Sequence, residues 1–362
     1  MTILSETETP STHISDSSHK VFGAPTPFWT MIGFATLLAF MVAPYPELAR
    51  WVGFSFAAYS AVANDSIQTL GTFIASNKQR SWWILWLFAG SIFVVTMSYS
   101  WFTYAGDVSF QRLVTKGFEQ APQSFSVLQI LAPVVLIVLT RWKMPVSTTF
   151  LLLTSFSTEM KTVGDMVSKS LTGYVLAFGL SIALWGVAQR YFEKKFVGQA
   201  HPLWAVGQWI STSALWSVWL MQDAANIAVY LPRQLHVGEF IVFLLIVVLG
   251  LGWIFKTGGD KIQEVVDEKS GVQDIRSATI IDALYAVILF YFKMHNNIPM
   301  STTWVFLGLL AGRELAISLR SQKISKHDYK HALWMLTKDA SLATIGLVVS
   351  FLVALAINSN IL

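Results

Sequence analysis

Apolar residues along this 362-residue chain gather in long blocks instead of alternating with polar ones. Segments 28–43, 82–101, 125–140, 171–189, 238–255, 278–292 and 340–357 are long enough, or nearly so, to cross about 30 Å of hydrocarbon as α-helices. No stretch repeats the short alternating units of a transmembrane β-barrel, so helices are the predicted elements. Segments 51–76 and 203–231 follow a different pattern: each is apolar at first, carries Asn64-Asp65 or Gln222-Asp223 near mid-length, and then continues. Irregular backbone at membrane depth is tolerated only where it lines a protein-buried cavity, so these two are predicted to be helices broken at the polar pair. Segments 144–160 and 298–318 open with proline in a Ser/Thr-rich turn, which predicts re-entrant hairpins or interrupted helices. Residues 1–27 contain no apolar run and lack the basic start of a signal peptide; they are expected to form a disordered N-terminal tail.

The polar interruptions come in pairs. Pro145-Val146-Ser147-Thr148-Thr149 returns as Pro299-Met300-Ser301-Thr302-Thr303, and Asn64-Asp65 with Gln68 returns as Gln222-Asp223 with Asn226. The offsets are 154 residues for the prolines and 158 for the aspartates, so two motifs of unlike chemistry repeat at nearly one spacing. That argues for duplication, with the charged stretch Arg190–Lys195 and the His201-Pro202 restart marking the join. The expected architecture is an all-α polytopic membrane protein of two homologous, inverted repeats, 28–196 and 197–362, enclosing one site between them. The stretch from Gly106 to Gly117, matched by Gly259 to Gly271, reads as an amphipathic, interfacial linker.

Composition agrees with a membrane interior. Hydrophobic residues make up 54% and charged residues only 13%, against about a quarter in a soluble domain, and mean hydropathy is +0.54. A multi-pass protein of the inner or plasma membrane is expected. Cysteine is absent, which removes disulfides and thiolate chemistry, and a net charge of +4 gives no footprint for nucleic acid. No phosphate loop, zinc-protease motif, nucleophile elbow or pair of catalytic carboxylates is found, so an enzyme is not expected.

An ionised aspartate at the bilayer centre costs at least about 2.5 to 3.5 kcal/mol, so Asp65 and Asp223 need compensation. A bound cation supplies it. Carboxylate and amide oxygens from Asn64, Asp65, Gln68, Gln222, Asp223 and Asn226 suit Na⁺, with one ion at each aspartate, better than Mg²⁺, which demands more charge and octahedral geometry. The plainer alternative is helix capping at a membrane boundary. In the second motif, proline ends what precedes it and a Ser or Thr N-cap turns the first N–H groups of a new helix toward the cavity. Those groups and the hydroxyls of Ser147, Thr148, Thr149, Ser301, Thr302 and Thr303 attract an anion. Ordinary capping and Ser/Thr packing between helices is the alternative there. Neither motif contains Arg or Lys.

These residues resemble the inorganic phosphate transporter (PiT) family, whose halves each carry a Gly-Ala-Asn-Asp motif with a downstream Asn and then Pro-x-Ser-Thr-Thr-His. The resemblance covers most of the chain from about residue 50 onward and identifies it as a divergent member. It implies a carrier that couples Na⁺ or H⁺ to phosphate by alternating access, with Na⁺ as coupling ion and no other cofactor. The implied partners are phosphate or a related oxyanion, sodium and the bilayer, and a homodimer is left open. Val62 and Leu220 stand where the family has glycine, Met221 where it has alanine, and Phe150 and Trp304 where it has histidine. A sulfate or other oxyanion permease is the nearest competitor, and a membrane sensor that transports nothing is the alternative from another class.

Overall fold

The computed structural model describes residues 20–21, 24–114, 117–142, 144, 146–157, 159–196, 198–257, 274–320 and 326–357. They form an all-helical molecule, apart from a two-residue antiparallel pairing of Lys20–Val21 with Ala24–Pro25. Ten α-helices occur among them: α1 Thr26–Val42, α2 Pro46–Ser76, α3 Trp82–Thr103, α4 Val127–Arg141, α5 Met160–Lys195, α6 Leu203–Ala228, α7 Val237–Thr257, α8 Ile275–His295, α9 Thr302–Arg320 and α10 Lys326–Ile357. Six are long and apolar enough to cross a membrane: α3, α5 over Met160–Val187, α7, α8, α9 over Thr302–Leu319 and α10 over Ala340–Ile357. With large side chains such as Phe34, Val95, Phe102 and Leu249 facing outward, this is a multi-pass membrane protein. Residues 1–19 of the expected tail lie outside the described residues, as do 22–23. Of 20–27, Lys20–Val21 and Ala24–Pro25 form the short strand pair and α1 begins at Thr26.

Two expectations are corrected. Helices α2 and α6 run unbroken through Asn64-Asp65 and Gln222-Asp223, because neighbouring side chains meet both carboxylates and no unwound backbone is required. Helix α5 runs to Lys195 and α6 begins at Leu203, so the expected join at 196–197 falls between these two helices. The Gly106 stretch does not lie on the surface as an amphipathic segment. Val108, Phe110, Arg112 and Leu113 are all buried, in a loop that Asp107 organises by accepting the N–H groups of Ser109 and Gln111, both at 2.7 Å. Phe110 and Gln111 sit there at φ +54° and +62°, strain that the surrounding core must hold. The matching stretch from Gly259 lies outside the described residues.

The packing places the polar pairs at the centre. Helix α2 lies against α4 and α6, α6 lies along α8, and α5 lies along α9. Indoles tie neighbouring helices together through backbone carbonyls, buried Trp216 Nε1 to Ala89 O at 3.0 Å and half-buried Trp86 Nε1 to Val248 O at 2.9 Å. α4 begins with a reciprocal capping box, in which Ser126 Oγ accepts from Gln129 N at 3.2 Å and Gln129 Oε1 accepts from Ser126 N at 2.9 Å. Gln129 Nε2 also donates to Ser155 O at 3.1 Å, anchoring the segment that follows the first Ser-Thr-Thr triplet.

Candidate functional site

Spacing of three along a helix puts Asp65 with Gln68 on one face of α2, and Asp223 with Asn226 on one face of α6. The two Ser-Thr-Thr triplets arrive from non-helical approaches. After α4 the described residues 144, 146 and 147 are irregular, one short π-helical turn covers Thr149–Leu153, and α5 begins at Met160. After α8 the chain has no regular structure from Asn296 to Ser301 and starts α9 at Thr302. The first triplet therefore sits in an interrupted helix, as expected, while the second heads a continuous one. Ser147 and Ser301 act as matched caps, their hydroxyls accepting the N–H groups of Phe150 and Trp304, each at 3.3 Å.

All twelve predicted side chains are buried, none above 5% exposure, and eight of them, Asn64, Asp65, Gln68, Thr149, Asp223, Asn226, Thr302 and Thr303, are joined around the two carboxylates. Asp223 Oδ2 accepts from Thr302 Oγ1 at 2.5 Å, and its Oδ1 accepts from Asn226 Nδ2 at 2.7 Å and Thr149 Oγ1 at 3.4 Å. Asp65 Oδ1 accepts from Asn64 Nδ2 at 2.5 Å and Gln68 Nε2 at 3.5 Å, and Thr303 also hydrogen-bonds this carboxylate. Asn64 Nδ2 donates as well to Val146 O at 2.9 Å, one residue before the first triplet. The two carboxylates lie close enough to feel each other's charge. Residues from both halves of the chain thus interlock: Thr149 serves α6, Thr303 serves α2, and Thr149 Oγ1 lies 3.1 Å from Met300 O in the segment ahead of α9.

The donors are satisfied more fully than the acceptors. Among the described residues, Gln68 Oε1, Gln222 Oε1, Asn226 Oδ1 and the Thr148 hydroxyl are buried without a hydrogen-bond partner. Buried polar atoms are ordinarily paired, so the unmatched amide oxygens of Gln68 and Asn226, whose amide nitrogens each hydrogen-bond one of the two carboxylates, form an oxygen-lined environment suited to a hard cation. Gln222 contributes least directly, since its Nε2 donates to Leu289 O on α8 at 2.8 Å. Among the described residues no three His, Asp or Glu side chains come together as a transition-metal site. Thr302→Val removes the 2.5 Å donor to Asp223 and keeps the shape. It is expected to lower stability by about 1 to 3 kcal/mol, read as a fall in Tm of the purified protein, whereas Thr148→Val should change Tm little.

Several residues at the site were not singled out from sequence. Trp219 Nε1 donates to Thr302 Oγ1 at 3.2 Å and Tyr285 OH to Thr302 O at 2.9 Å, fixing the head of α9. Asp282 on α8 is buried between Thr72 of α2 at 2.6 Å and Thr212 of α6 at 2.5 Å; a lone acid in the apolar segment 278–292 was a readable signal for it. Arg112 is fully buried, donating from Nε to Met221 O at 2.9 Å and from Nη1 to Ile298 O at 2.9 Å. Burial pulls its guanidinium down to about 10 against the opposing influence of Asp223, so it stays charged at neutral pH. No sequence pattern marks Arg112, because only the fold of its loop carries it inward. Phe150 and Trp304 meet edge to face with ring centres 5.5 Å apart. Comparison of the chain with family models, with curated proteins and with solved structures found no match.

Proposed function

We propose that the protein is a secondary transporter that carries inorganic phosphate with Na⁺ by alternating access between two inverted repeats. The carrying observation is the single buried cluster in which both Ser-Thr-Thr triplets meet both aspartates. The carboxylates and the unmatched amide oxygens suit the cation, and the hydroxyls and helix starts suit the oxyanion. Two further features favour the reading. Helix α2 packs on α4 much as α6 packs on α8, so each aspartate helix lies against the helix that leads into its own triplet. The motif resemblance to the phosphate transporter family points to the same substrate pair. A co-bound cation lowers the cost of placing an anion among carboxylates, and by linkage the anion strengthens cation binding equally.

One observation favours sulfate instead. The Phe150–Trp304 pair fills the positions where the resembled family has histidine, leaving no imidazole there to exchange a proton with a partly protonated anion. The two readings separate in proteoliposomes. Labelled phosphate is expected to accumulate only with an inward Na⁺ gradient, and excess sulfate is expected to compete poorly. Preferential sulfate uptake reassigns the substrate; uptake unchanged when K⁺ replaces Na⁺ removes sodium coupling; no uptake of either anion leaves the sensor reading.

A further inference from the structure

Asp282 stands apart from the cation cluster. It lies on α8 about 10 Å along the helix from Ile275 and is 1% exposed. Its Oδ1 accepts from Thr72 Oγ1 of α2 at 2.6 Å, and its Oδ2 accepts from Thr212 Oγ1 of α6 at 2.5 Å. Both partners are neutral. A carboxyl enclosed by hydroxyls keeps two hydrogen bonds when it takes up a proton, donating to one threonine and accepting from the other, and it is then relieved of a charge that nothing balances. Isolated charges in an apolar interior neutralise for this reason.

The charged and titratable groups on the helices packed against α8 do not alter this. Those helices are α2, α5, α6 and α9. Asp65 of α2 lies two turns from Thr72, and Asp223 of α6 lies three turns from Thr212. On α5 the charged residues fall in the first three turns, from Lys161 to Lys169, and in the last two, from Arg190 on; Lys169 is bound to Asn296 and Ile298, beyond the far end of α8. Arg313 of α9 pairs with Glu314 at 2.7 Å. On α8 itself Arg276 pairs with Asp274, Tyr285 gives its hydroxyl to Thr302 O, and Lys293 stands three turns further on. What acts on Asp282 is the pair of threonines.

A polar seam between α2 and α6 leads from this carboxyl to water. One turn beyond Thr72 is Ser76, and one turn before Thr212 is Gln208, which donates to Ser76 Oγ. Asn77 Nδ2 donates to Gln208 Oε1 at 3.0 Å, and Arg80, an exposed residue, donates from Nε to Asn77 Oδ1 at 3.2 Å. Gln208 and Asn77 are themselves at most 2% exposed. Such a line of side chains gives a proton, or a water that carries it, polar groups to pass between where an apolar seam would be closed.

We propose that Asp282 is a proton-binding site, held protonated between α2, α6 and α8 and exchanging its proton with water through the seam past Gln208 and Asn77. On release the Oδ–H bond breaks, the proton passes to water at the Arg80 end, and both threonine hydroxyls turn to donate to the carboxylate left behind. The site is separate from the oxygen cluster at Asp65 and Asp223, so a proton and a sodium ion do not compete for one carboxylate. It rests on the transport reading for one point, that the proton is exchanged within the transport cycle.

The test is infrared spectroscopy of the full-length protein in sodium-free buffer, taken as the difference between neutral and alkaline pH. The wild type is expected to show the carbonyl stretch of a protonated carboxyl that is lost as the pH rises, and Asp282→Asn to lack that band. Thr72→Val and Thr212→Val each remove one hydrogen bond from the same group and should displace the band in frequency, a readout that a loss of stability alone does not move. Gln208→Leu interrupts the seam and should slow the loss of the band after a pH jump. Identical difference spectra for wild type and Asp282→Asn overturn the proton site. Should that variant fail to fold, a band at one frequency in wild type and both threonine variants overturns it, and an unchanged rate in Gln208→Leu overturns the route. Failure of the transport reading is separable: an Asp282 band in a protein with no sodium-driven uptake leaves the proton site standing alone.

Discussion

Asp223→Asn is expected to cut sodium-driven phosphate uptake by at least about 100-fold, equivalent to about 2.7 kcal/mol of lost stabilisation. The substitution preserves size and the contacts to Thr302 and Asn226 in outline, but it replaces one carboxylate oxygen with an NH₂ group and removes the charge that would balance Na⁺. Folding is not the casualty. A buried carboxylate beside a second one is costly to keep charged, so neutralising it should leave Tm in sodium-free buffer unchanged or higher. Sodium separates the cases more sharply. A ion that binds only the folded state stabilises it by RT ln(1 + [L]/Kd), so wild-type Tm should climb with NaCl against a choline chloride control while that of Asp223→Asn stays flat. A variant whose Tm still climbs with sodium would remove Asp223 from the cation site. Asp65→Asn should behave similarly, since Asp65 lies in the same cluster and feels the same charges.

The second large effect lies in the scaffold that carries the site. Gly308 and Gly312 are one turn apart on α9 and press against the α5 backbone at Tyr174 and Phe178. A Cβ at either position would fall inside the van der Waals radius of a carbonyl oxygen, which cannot rotate away as a side chain can. Close backbone approach through small residues is how membrane helices gain dispersion and interhelical polar contacts, and here Ser181 Oγ uses it to donate to Leu309 O at 2.7 Å. Gly308→Ala should cost about 1 to 3 kcal/mol, and Gly312→Leu should prevent folding altogether, seen as loss of the monodisperse peak in detergent. Because α9 begins at Thr302, any displacement of α9 from α5 also pulls the Asp223 donor away. Gly308→Ala should therefore reduce uptake more than its Tm suggests. A Gly308→Ala, Gly312→Ala double variant with unchanged Tm would refute this account of the interface.

The span pattern and the site residues were legible in sequence for different reasons. Apolar blocks such as 82–101 and 238–255 announced α3 and α7 because lipid admits little else, and the paired motifs stood out because polar residues are rare in such a chain. The continuity of α2 and α6 was not legible. An Asn-Asp pair in an apolar run looks like a break until Thr303, Val146 and Gln68 are known to surround it. Arg112 was hidden for a related reason: its neighbours Asp107, Ser109 and Gln111 resemble a surface turn, and only their mutual hydrogen bonds reveal a loop folded inward. Lys169 was equally obscure, since a lysine early in a long helix usually faces water or headgroups, whereas this one faces the chain between α8 and α9.

Thr149 carries a single hydroxyl proton yet has two oxygens to give it to, Asp223 Oδ1 at 3.4 Å and Met300 O at 3.1 Å, while its own oxygen accepts from Asn226 at 3.1 Å. At any instant it can tether its segment to the carboxylate on α6 or to the segment ahead of α9, but not to both. Turning about one Cβ–Oγ1 bond is therefore enough to exchange a tie to a carboxylate for a tie to the backbone of Met300, so the seam at the heart of the molecule holds two settings with no helix moved.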